Sequence, residues 1–119
     1  MKARAYFNLY EGGQVEAAET YGYPLTLPNL DGIEFAIVRP VQWGAITAKC
    51  GWQVIHVRSG LRLMRGGMER NRAGARASAM AELERAGKKY GWDKVVRKLK
   101  RAKTPCIVEA LKAAKAKHG

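Results

Sequence analysis

Residues 91–103 read GWDKVVRKLKRAK, and no other stretch limits the fold as much. At 100° per residue, Trp92, Val95, Val96, Leu99 and Ala102 fall on one arc of a helix. Lys94, Arg97, Lys98, Lys100 and Arg101 fill the opposite arc, with Asp93 as the one acid, near the N-terminus where the helix dipole favours it. Such a segment is stable only as an amphipathic helix docked by its apolar side on something else. The rest of the chain must therefore supply an apolar surface, and a cationic face is left pointing outward.

The charge of the whole chain sharpens that reading. Among 119 residues there are 22 Lys and Arg against 10 Asp and Glu, a formal net charge of +12. Residues 1–56 hold four cations and five anions; residues 57–119 hold eighteen cations and five anions. A near-neutral half joined to a strongly basic half points to a binding face, because a solubility device would spread its charge. The apolar fraction of 47% allows a real core, and the length fits a single domain over 1–119.

The chain order predicts α+β architecture: a small antiparallel sheet of three to five strands in the N-terminal two thirds, packed with about three C-terminal helices. Residues 1–65 read as strands and loops, residues 69–117 as helical and strongly basic. Residues 3–10 alternate, with Ala3, Ala5, Phe7 and Leu9 on one face, as in a half-buried strand. Residues 14–20 are short and acidic and read as one or two helical turns. Residues 21–32, YGYPLTLPNLDG, carry the composition of a loop pinned by Leu25, Leu27 and Leu30. Strands are expected over 33–38 and 52–58, with a weaker one over 43–49. Ser59-Gly60 reads as a two-residue hairpin turn with a return strand over 61–65, which pairs Arg58 with Leu61 and His56 with Leu63. Both faces of that hairpin are partly apolar, so it needs cover on each side or an oligomer contact. From 69 to 86 an alanine-rich helix is expected, with Ala73, Ala77, Met80 and Leu83 at helical spacing and small residues at 73, 74, 77 and 81 for close packing. Gly87 and Gly91 punctuate. Thr104 is an N-cap before Pro105, which opens a last helix to about Lys117.

The basic helix has a neighbour in sequence: Arg58, Arg62, Arg65, Arg70, Arg72 and Arg76. Arginine's planar fork is the better phosphate ligand. The expectation is a small non-enzymatic protein that binds nucleic acid, DNA or RNA, through the phosphates. If about five of the helix cations met phosphates, that helix alone would give a salt slope of about −4 to −5. A helix-turn-helix is not expected: the second helix would begin Pro105, Cys106, Ile107, Val108, apolar residues in place of base readers. Tyr21 and Tyr23 are candidates for base stacking or a protein contact.

Catalysis finds little support. His56 and Ser59 are expected on opposite hairpin faces, so no Ser–His pair follows. His56 with Glu34 reads as a structural histidine sooner than a general base. Carboxylates are too scattered for a two-metal nuclease, and Cys50, His56, Cys106 and His118 lack the paired spacing of a zinc site. Two cysteines make no disulfide framework. No cofactor or metal is expected, no membrane partner, and a reducing, cytoplasmic setting. The compact size, lopsided charge and strand-then-helix order resemble the accessory proteins of phages and mobile elements, a likeness of type that no motif carries. It implies an alternative: an inhibitor or regulator whose basic face occupies an acidic groove on a host protein or nucleoprotein complex, such as a defence system. A homo-oligomer fits either reading, and an enzyme fits least.

Overall fold

The computed structural model describes residues 3–11, 14–39, 41–42, 45–46, 51–63 and 69–118. Within them the chain forms strands β1 (Ala3–Glu11), β2 (Gln14–Leu25), β3 (Phe35–Val38), β4 (Val41–Gln42), β5 (Ala45–Ile46) and β6 (Gln53–His56). Helices α1 (Arg72–Tyr90), α2 (Trp92–Arg101) and α3 (Pro105–His118) follow. Strands β1, β2, β3 and β6 make one antiparallel sheet in that order, and β4 and β5 a two-stranded ribbon. This is the expected α+β arrangement, strands first and helices last. Cys50, Met64, Arg65 and Gly66-Gly67 lie outside the described residues, as does most of the weak strand expected over 43–49.

The N-terminal half departs from expectation at β2. Residues 14–20 are strand and not helical turns: β1 and β2 pair along their length, from Ala3 opposite Gly22 to Glu11 opposite Gln14. Cross-strand bonds satisfy every second backbone group there, which a lone helical turn would leave to water. The strand runs on to Leu25, so Tyr21, Gly22, Tyr23 and Pro24 are sheet residues, not loop. A Cβ on Gly22 would stand 2.4 Å from the Ile37 carbonyl oxygen. The glycine there serves close backbone approach, not a turn. The loop that follows is held by buried Leu27 and Leu30 as expected, whereas Leu25 is the half-buried last residue of β2.

Every residue of β3 and β6 is buried, so both faces of the central sheet are covered. On one face Phe35, Ile37 and Val54 meet Ala75, Ala79 and Leu83 of α1 and Val95 and Leu99 of α2 in a single core. Helix α1 therefore docks through residues 75, 79, 83 and 87. Ala73, Ala77 and Ala81 are exposed, contrary to the packing face read from sequence. Gly87 does not punctuate either. It lies inside α1, where a Cβ would come 2.6 Å from the Trp92 ring, and the helix ends only at Gly91, φ 89°. Helix α3 packs on β1 and β2. Its start is the expected one: the Ile107 N–H donates to Thr104 Oγ1 at 3.4 Å.

The turn after β6 is longer than a Ser-Gly hairpin. The His56 N–H donates to the Leu61 carbonyl (2.8 Å), the Leu63 N–H to Val54 (3.0 Å), and Ile55 stands opposite Arg62. Residues 57–60 make the turn, closed by a Gly60 N–H bond to the His56 carbonyl (2.7 Å), with Gly60 at φ 71°. The register is shifted by two residues from the expected one, which keeps each side chain on its own face.

Candidate nucleic-acid interface

Helix α2 is fixed by its apolar arc. Val95 and Leu99 are buried, Trp92 and Val96 half-buried against the core, and Trp92 lies in the space that Gly87 leaves open. That docking turns Lys94, Arg97, Lys98, Lys100 and Arg101 outward, and all five are exposed. No carboxylate among the described residues pairs with any of them, and Asp93, four residues before Arg97, forms no ion pair with it. Lys98, Lys100 and Arg101 stand in the last turn, where cations complement the helix dipole. Lys94 stands in the first turn, against the dipole, so helix stability does not account for it.

The arginines that cluster in sequence divide in space. Arg58, in the turn after β6, donates through Nη1 to the Lys100 carbonyl at 2.8 Å, which ties that turn to the C-terminal end of α2. Its charge thus joins the α2 face. Arg62 is exposed opposite Ile55, and Arg70, Arg72 and Arg76 are exposed around the start of α1. Glu69 bridges to Trp52, so the start of α1 lies at the far end of β6 from Arg58. Five strand steps from Trp52 to Val57 span about 16 Å. Arg65 lies outside the described residues.

At that far end sits a group of rings and guanidinium ions that the sequence only half disclosed. The Arg72 guanidinium carbon is 4.2 Å from the Tyr23 ring centre and 5.8 Å from that of Trp52. Arg39 lies 4.0 Å over Trp52, and the Tyr23 and Trp52 rings are 5.9 Å apart, tilted by 55°. Tyr21 stands beside them, 43% exposed. Arg39 and Trp52 were missed, because nothing in a linear reading brings residues 23, 39, 52 and 72 to one place. Tyr90 was also missed. It is 56% exposed, lies 5.2 Å from the Lys89 ammonium, and borders a shallow groove with Lys94 and Arg97.

His56 and Ser59, expected on opposite faces, are bonded: Nδ1 to Oγ, 2.7 Å. The longer turn is the reason, since it curls Ser59 back over the strand end. Ser59 is 1% exposed, and its Oγ also accepts the Leu61 N–H at 3.2 Å, so the pair is a buried hydrogen-bonded unit closed off from solvent. Burial lowers the His56 pKa, and the charge of Arg58 lowers it further. Glu34 lies with His56, Arg58 and Lys100 around a cleft of about 290 Å³. Among the described residues no group of His, Cys, Asp and Glu could hold a metal ion, Cys106 is a half-buried free thiol, and no helix is long and apolar enough to cross a membrane. At the start of α3 Ile107 is fully buried, with Cys106 and Val108 half-buried on either side.

No protein-family model, curated protein or solved structure matches this chain.

Proposed function

We propose that this chain is a non-enzymatic nucleic-acid-binding protein whose α2 face meets phosphates. The observation that supports it is the outward arc of Lys94, Arg97, Lys98, Lys100 and Arg101, all exposed and unpaired by any described carboxylate, with Arg58 bound to the end of the same helix. Like charges held this close repel one another, and a polyanion relieves that repulsion as it releases its own counterions. The contact is to backbone phosphates, which position a binder on nucleic acid without carrying sequence information. Arg62, Arg70 and Arg76 extend the positive surface without belonging to this face.

The test is a gel-shift titration of a random-sequence duplex and a single strand at low salt. The parent protein shifts both, with a salt slope of about −4 to −5 if about five phosphates are met. Changing Lys94, Arg97, Lys98 and Arg101 together to Glu removes the shift. A variant that bound as well as the parent would sink the proposal. If the parent shifted no probe, the same face would belong against an acidic protein surface, as an inhibitor's would.

A further inference from the structure

The ring cluster at the far end of β6 does something that α2 cannot. We propose that Tyr21, Tyr23, Arg39, Trp52 and Arg72 form a second contact, specific for single-stranded nucleic acid, in which an unpaired base stacks on the cluster and its phosphate meets Arg72. This rests on the phosphate-binding reading of α2 and adds to it a preference among nucleic acids.

The sheet register builds the site. Arg39 donates its N–H to the Tyr21 carbonyl, which sets Tyr21 beside Arg39, and Arg39 lies over Trp52. Tyr23, two residues on from Tyr21, shares its face of the strand. Arg72 comes in from the first residue of α1 and lies between Tyr23 and Trp52. Rings beside a guanidinium fix it in place without neutralising it, and Arg72 remains exposed. No carboxylate among the described residues pairs with Arg72; Glu69, three residues earlier, accepts from Ser78 Oγ at 2.7 Å. A purely structural role would explain Arg72 on Tyr23 as a tie between α1 and the sheet. That tie does not require the exposure of Tyr21, a large ring 43% exposed at the margin of the same cationic cluster.

Rings interleaved with cations select single strands for a simple reason. In a duplex both faces of every base are covered by its neighbours, whereas an unpaired base has a free face to give. The α2 face meets phosphates of either form. The cluster adds affinity for one of them.

Fluorescence anisotropy with a labelled single strand of about 20 nucleotides, long enough to span both contacts, and with the matching duplex, tests this. Arg72→Gln and Tyr21→Ala each weaken single-strand binding about tenfold and change duplex binding less than about twofold. Tyr21→Phe, which keeps the ring, binds as the parent does. Thermal melts check that each variant folds. If Tyr21→Ala and Arg72→Gln bound the single strand as tightly as the parent, this inference would fail while α2 kept its role. If single-strand binding were lost in those variants but the fourfold α2 variant still bound both probes, the α2 reading would fail and the cluster would stand. Binding of neither probe by the parent overturns both.

Discussion

Ser59 and His56 show how a buried polar pair constrains a small protein. Ser59 Oγ accepts the Leu61 N–H and is hydrogen-bonded to His56 Nδ1, and the imidazole, its ring 5.8 Å from that of Phe35, is disfavoured as a cation by its burial and by the charge of Arg58. Removing the hydroxyl leaves a buried ring nitrogen without its hydrogen-bond partner, so Ser59→Ala costs about 1–3 kcal/mol in urea unfolding. The pair also couples folding to pH. The folded pKa of His56 lies below the unfolded value of about 6.5, so the unfolded chain takes up a proton that the folded chain refuses. The contribution is intact above pH 6.5 or so and is lost as pH falls through that value toward the folded pKa. Urea titrations from pH 7.5 to pH 5 then show a falling midpoint, and His56→Gln flattens the fall. A parent and variant with parallel pH profiles would refute this assignment.

Among the elements, α1 and α2 are set against each other by two glycines with different duties. Gly87 leaves room for Trp92; Gly91 adopts φ 89°, which an L side chain resists. Alanine in mid-helix is ordinarily worth up to about 1 kcal/mol over glycine. At Gly87 that gain is reversed by overpacking, and Gly87→Ala lowers stability by about 1–3 kcal/mol, read from the urea midpoint. An unchanged or raised midpoint would show that the Trp92 ring can move aside. This pair also marks how far the sequence could be read. The arc of α2 was plain, because Val95 and Leu99 differ sharply in polarity from the lysines and arginines between them. The docking face of α1 was not: alanines occur all round the helix, so periodicity could not choose 75 and 79 over 73 and 77. Thr104-Pro105 was legible as a local capping bond. The strand character of 14–25 was hidden, since Gly22 and Pro24 read as loop until Ile37 is known to lie alongside. For the candidate site the same division holds. The α2 cations follow from one helix and were named, whereas Arg39 and Trp52 join Tyr23 and Arg72 only through strand pairing across long stretches of chain.

At the scale of the molecule, the net charge of +12 sets two responses to salt in opposition. Screening weakens attachment to a polyanion but relieves repulsion among the eighteen cations of residues 57–119. Raising NaCl from about 50 mM to 500 mM therefore raises the melting temperature of the free protein while it releases bound nucleic acid. A melting temperature that fell with salt would mean that paired charges hold the fold. The sheet order adds a temporal consequence. Because β1, β2, β3 and β6 are spatial neighbours in their order of appearance, the sheet can assemble as the chain leaves the ribosome. Its helical cover comes afterwards, with Leu99 near the end of what must emerge. For that interval Phe35, Ile37 and Val54 form a bare oily plate, so synthesis of this protein passes through a sticky nascent form. Messages cut short before residue 92 would yield polypeptides that chaperones must hold or proteases must clear.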